Sequence, residues 1–195
     1  MNANNILTFF YPIMDSLNKG SLIRKIMSFL FGLTGILIFL GGCYLFFRAI
    51  SYAPDFWFIL LLLFVLLTSF IILQIWFYHA KAVFNLQDSE FIVIPIFSHL
   101  FRSIGESYAI IILGYGIGRI INILFSKEAV GILQFEQLVP FKISTSSLID
   151  ETMSILYSIV LSFFVLLFTY FVAESILALV QIAKNTSITK KNNES

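Results

Sequence analysis

Charge is scarce in this chain. Of 195 residues only 12% are Asp, Glu, Lys or Arg, against the roughly 25% usual in a soluble domain. With 59% hydrophobic residues and 23 phenylalanines, too little polar surface remains to cover a water-soluble globule. Mean hydropathy is +0.95, so the bilayer must be the solvent for most of the chain. A net charge of +1 leaves neither a basic field for nucleic acid nor an acidic tail. The single cysteine, Cys43, excludes an intrachain disulfide and gives no reading of compartment. There is no room for a second, soluble domain.

Chemistry-bearing sets are equally scarce. No Ser/His/Asp set, paired catalytic carboxylates or HExxH pattern occurs, so no enzyme is expected. The two histidines, His79 and His99, lie far apart in sequence with no Cys nearby. No acidic partner stands at ligand spacing, so neither a metal nor a cofactor is expected. His79 reads as marking a helix end at the membrane interface. "LGGC" at 40–43 has the outline of a lipoprotein cleavage box, yet the apolar run continues through "YLFF" and exceeds a signal-peptide core. It reads as a glycine pair inside a membrane span.

What is present is apolar length. Residues 26–48 and 56–79 are two runs long enough to cross about 30 Å of hydrocarbon as helices. The short "AISYAPD" between them makes an antiparallel hairpin, with Asp55 able to cap the second helix and Trp57, Trp76 and Tyr78 at belt positions. Residues 89–105 are apolar but short, and Pro95 and Arg102 interrupt them. They read as an interfacial or re-entrant segment. Residues 107–125 form a third span, 126–152 an outer loop and 153–183 a long fourth span that tilts or projects. Residues 1–25 read as a cytoplasmic interfacial segment, in which Ile6, Phe10, Ile13, Met14 and Leu17 recur at helical spacing, and 184–195 as a disordered tail. The expectation is one all-α membrane domain, an integral four-helix bundle with interfacial or re-entrant helical segments.

Positive residues set the threading. Lys19, Arg24, Lys25, Lys81, Arg102, Lys184, Lys190 and Lys191 fall on the side of the termini, whereas Arg48, Lys127 and Lys142 fall opposite. That bias argues for both termini in the cytoplasm, and the membrane is expected to be a bacterial inner membrane.

Two groups of residues carry the functional reading. In "GYGIGRIIN", 114–122, Gly114 and Gly118 have the spacing that lets helix backbones approach in lipid, either within the chain or across a homodimer. Arg119 shares its face with Tyr115 and Asn122. Counting from the cytoplasmic ends puts it about 20 Å deep and Glu174, flanked by Tyr170, about 13 Å deep. A lone charge in hydrocarbon costs at least ~2.5–3.5 kcal/mol, so Arg119 and Glu174 are expected to pair. The pair serves either to lock the bundle or to handle ions or protons. The second group is His99, Arg102 and Glu106, a polar face suited to an interfacial helix that holds headgroups, with Arg102 and Glu106 able to pair at i, i+4.

The segment "AESILALVQIAKNTS" resembles the terminal helix of small bacterial multi-span membrane proteins of no known activity, in which a glutamate in an apolar helix precedes an asparagine-threonine pair. Glu174 and Asn185-Thr186 carry the likeness here. The chain is expected to be a non-enzymatic subunit or scaffold that meets lipid and a second copy or another membrane protein through its helix faces, with no nucleic-acid partner. The competing class is a small transporter or channel subunit.

Overall fold

A computed structural model describes residues 20–51, 56–87, 92–125 and 148–193. The expected interfacial residues 1–19, the loop 126–147 and the last two residues lie outside the described part. The described residues form four helices and no strand: α1 Ser21–Ile50, α2 Phe56–Phe84, α3 Val93–Phe125 and α4 Leu148–Asn193. Each is long and apolar enough to cross a membrane, and together they form an all-α bundle.

Helices pack chiefly on their neighbours in sequence, with the broadest contacts between α1 and α2 and between α3 and α4. α1 starts at Gly20, whose φ of 70° lies in the left-handed region that glycine occupies without strain. A Cβ there would also run into Ile92, so the start of α1 is fitted against the entry to α3. Arg24 Nη1 then donates to the Leu86 carbonyl, and Ser28 Oγ donates to the Ala80 carbonyl at 2.8 Å. Above these ties Phe31 packs on Trp76 with ring centroids 5.4 Å apart. Ile72, Val83, Ile92 and Ile96 fill the surrounding core.

Two expectations fail here. Residues 89–105 do not form a separate interfacial or re-entrant element, because from Val93 onward they run unbroken into the third span. Pro95 is the third residue of α3, inside the first turn, where a helix has no amide bond for proline to remove. The tail does not break at 184 either: α4 continues to Asn193. Residues 148–193 contain no glycine or proline, and Thr186 Oγ1 donates to the Ile182 carbonyl one turn back.

The contacts also fix heights in the bundle. Gly42 faces Ser69 across α1–α2, Gly118 faces Leu61 across α2–α3 and Gly116 faces Ser158 across α3–α4. Followed along antiparallel helices, these pairs bring Arg48, Arg119 and Ile155 to within about one turn of a common level. Twenty residues inward, about 30 Å at 1.5 Å per residue, the levels are Ser28, Val83, His99 and Ser175. A hydrocarbon slab fits between these two levels. Arg24 and Lys25 lie just beyond it, at the end shared by the start of α1, the start of α3 and the end of α4. That end is called the near end below.

Candidate functional site: a polar chain across three helices

Burial separates inner from outer helices. Only 11% of the apolar stretch of α4 and 22% of that of α1 are buried, against 39% for both α2 and α3. The inner pair therefore offers most of the shelter from lipid, with Ser154, Ser158 and Ser162 of α4 turned in against it.

Those groups meet at the near end. His79 on α2 is 2% exposed, one and a half turns before that helix stops. Its Nδ1 lies 3.2 Å from Nδ1 of His99 on α3. Its Nε2 lies 3.1 Å from Oε2 of Glu106, also on α3. On the other carboxylate oxygen, the Tyr170 hydroxyl of α4 donates to Glu106 Oε1 at 2.5 Å. Four titratable groups from three helices thus stand in series, each at hydrogen-bond distance from the next.

The geometry dictates where the protons sit. The two imidazole centroids are 5.4 Å apart, wider than the nitrogen separation by nearly two ring radii, so the rings meet close to head-on along Nδ1. That is the arrangement of an N–H···N bond, in which one ring donates and the other accepts. With Glu106 ionised, its bond needs a proton on His79 Nε2. Neutral His79 then presents a bare Nδ1, and His99 must carry the bridging proton on its own Nδ1. A proton reaching His99 can move to His79 while the Nε2 proton passes to Glu106. The chain accepts charge at one end and delivers it at the other without any residue moving far.

No protein-family model, curated protein or solved structure matches the chain. The site's own chemistry is what carries a functional reading.

Arg102 flanks the chain. Its guanidinium lies 5.0 Å over the Tyr170 ring centroid and 3.9 Å from Glu174 Oε1. The first is cation–π range; the second is too long for a hydrogen bond. Arg102 Nε is buried without a hydrogen-bond partner among the described residues. On the opposite side Trp76 Nε1 donates to Ser107 Oγ at 3.0 Å, and Ser107 Oγ donates to the Ser103 carbonyl at 2.7 Å.

The structure regroups the residues picked out from sequence. Glu174 does not meet Arg119. It sits beside Arg102, 17 residues before Arg119 on the same helix and so about 25 Å away along the axis. The earlier depth failed because α3 begins at Val93 and not at 107, which moves Arg119 to the far boundary. There Arg119 Nη1 approaches the Tyr115 hydroxyl at 3.5 Å, and its guanidinium lies 5.8 Å from that ring centroid. The Asn122 side chain lies outside the described set. Tyr170 stays with Glu174 at the near end and does not join Tyr115 and Arg119.

His99 and Glu106 are half-buried and spend their polar atoms on partners of α2 and α4, not on a shared outward face with Arg102. Arg102 turns to Tyr170 and Glu174 across the helix gap. His79 marks no exposed helix end. The signal that was passed over is that the chain's only two histidines fall at membrane depth, with Glu106 seven residues after one of them. Among the described residues no group of three His, Cys, Asp or Glu is placed to share a metal ion.

Gly114 and Gly118 pack within the chain. A Cβ on Gly114 would lie 3.4 Å from Thr68, and one on Gly118 would lie 3.6 Å from Leu61, both on α2. Closer approaches occur at glycines that the spacing rule missed. A Cβ on Gly105 would run into Thr169, and one on Gly116 would lie 2.7 Å from Ser158. Ser162 Oγ donates to the Ala109 carbonyl at 3.0 Å between these points.

Proposed function

We propose that this chain is a non-enzymatic, multi-pass membrane subunit that takes up and releases a proton inside its helix bundle from one side of the membrane. The observation that carries this reading is the series His99–His79–Glu106–Tyr170, joined at 3.2, 3.1 and 2.5 Å across α3, α2 and α4. Ionisable residues at membrane depth are functional by default, and a chain that passes protons in sequence is more than a packing pair requires. His99 and the neighbouring Glu174 both stand near the same slab boundary, so the proton enters and leaves at the near end. The positive residues gathered on that side support a cytoplasmic near end, in what we take to be a bacterial inner membrane. The outward apolar faces of α1 and α4 are the surfaces through which the subunit meets lipid and its partners, a second copy or another membrane protein.

A second reading, a small transporter or channel subunit, is favoured by Ser154, Ser158 and Ser162, a row of buried hydroxyls on α4 above the chain. Ser158 donates to the Ser154 carbonyl of its own helix, and the single Ser162 hydroxyl proton is shared between the Ser158 and Ala109 carbonyls, which argues for packing. Proteoliposomes carrying an internal pH dye separate the two. The expected result is no net flux under a pH gradient, together with reversible proton uptake by the detergent-solubilised protein between pH 8 and 5 that is lost in Glu106→Gln. Sustained flux that Glu106→Gln abolishes would replace the subunit reading with the transport one.

A further inference from the structure

Among the described residues Arg102 is the cation that flanks the chain, and it stands between two anions. On one side is Glu106, whose Oε1 is bonded to the Tyr170 hydroxyl beneath the guanidinium. On the other is Glu174, whose side chain is 70% exposed and whose Oε1 is 3.9 Å away. The groups facing this spot are His79 and Tyr78 from α2, His99 and Glu106 from α3, and Tyr170 and Glu174 from α4.

From these positions we infer that Arg102 is a two-position switch that reads the charge of the His79–Glu106 pair, resting over Tyr170 when the pair is anionic and closing onto Glu174 when it has taken up a proton. The inference rests on the proton-holding reading above and adds to it what the proton changes. Without the proton, His79 is neutral and Glu106 carries one negative charge, so Arg102 is pulled by two carboxylates and sits between them. With the proton, the pair is neutral overall, whether the proton rests on His79 or on Glu106. Among the described residues Glu174 is then the net anion within reach, and attraction at a few ångströms in a poorly polar setting decides the position. The Tyr170 bond changes with it, because a hydroxyl bound to an ionised carboxylate is held about twice as strongly as one bound to a neutral acid.

The consequence falls on the near half of α4. Above this point α3 and α4 touch backbone to side chain at Gly105 and Thr169 and are tied by Ser162. Below it the ties described are Tyr170 to Glu106 and Arg102 to Glu174. Proton uptake trades the first for the second and slides the point where α4 is held by one turn toward its exposed end.

The test is a double-mutant cycle between Arg102→Gln and Glu174→Gln, read as unfolding in nanodiscs at pH 8. It is run once in the native chain and once in Glu106→Gln, which fixes the neutral state. Coupling in the native background should change the unfolding equilibrium by less than about threefold, as for a loose surface pair, and in Glu106→Gln by about tenfold. Equal coupling in the two backgrounds would overturn the switch. The unsubstituted protein provides a second reading: the arginine ¹⁵Nε signal of Arg102, now without a hydrogen-bond partner, should shift between pH 8 and 5 in step with proton uptake. Uptake with an unmoved Arg102 signal overturns the switch and leaves proton holding intact, whereas absence of uptake removes both.

Discussion

The two broad helix contacts of this bundle differ in what fills them. α1 and α2 meet largely through bulk, Phe31 on Trp76 with Ile72, Val83 and Ala80 around them, although Gly35 and Gly42 also come close to Trp76 and Ser69. α3 and α4 meet through near-absence of side chain: Gly105 against Thr169, Gly116 against Ser158 and the Ala109 carbonyl against Ser162. In lipid, helices gain little from leaving the solvent, so association depends on close packing and on hydrogen bonds between helices. The bulky seam obtains packing from interlocked rings. The small-residue seam obtains it from backbone approach, and that approach brings Tyr170 within reach of Glu106. The polar chain runs from α2 through α3 to this second seam, where Tyr170 of α4 closes it on Glu106.

The contrast makes graded predictions, each read as thermal or denaturant unfolding in detergent. Phe31→Ala should cost most, ~3–5 kcal/mol, because it leaves a cavity facing Trp76 that rigid neighbours cannot fill. Gly105→Val should follow at ~1–3 kcal/mol, from overpacking against Thr169. Gly41→Val, at a position where a Cβ would meet nothing within 4 Å, should change little. If these two valine substitutions had equal effects, the close α3–α4 approach would be wrong.

Ser162→Ala should cost about 0.6 kcal/mol, the usual worth of one hydrogen bond between membrane helices. A much larger loss would mean that the seam is held by its hydroxyls and not by its glycines. Smallest is the coupling between Arg119 and Glu174, at opposite ends of the slab. Arg119→Leu and Glu174→Leu should add to within about 0.5 kcal/mol, and strong non-additivity would return the two residues to one site.

The sequence made the first seam far more legible than the second. Apolar runs at 26–48 and 56–79 leave little choice but a hairpin, and composition alone demands lipid. The second seam was misread because Pro95 and Arg102 looked like interruptions. Proline in a first turn breaks nothing, and a charge near the slab boundary is tolerated. Splitting one 33-residue helix into two pieces then made the apparent depth of Arg119 too small by 14 residues, about four turns, and the pairing with Glu174 followed from that error. The histidines were discounted for standing 20 residues apart, a distance that an antiparallel hairpin closes. Periodicity places residues on a face of their own helix, but which face of the next helix they meet depends on register, and register was set here by glycines whose partners lie 42 to 64 positions away.

The central claim is that His79 and His99 share one proton head-to-head and that Glu106 fixes which ring donates. Because the chain has only these two histidines, ¹⁵N-histidine labelling gives a spectrum of four ring nitrogens with no others to confuse it. In nanodiscs at pH 8, the account expects one Nδ1 protonated, the other bare, and a measurable ¹⁵N–¹⁵N coupling across the hydrogen bond between them, lost together with the tautomer preference in Glu106→Gln. Two rings in the same tautomer, titrating independently and showing no coupling, would contradict it.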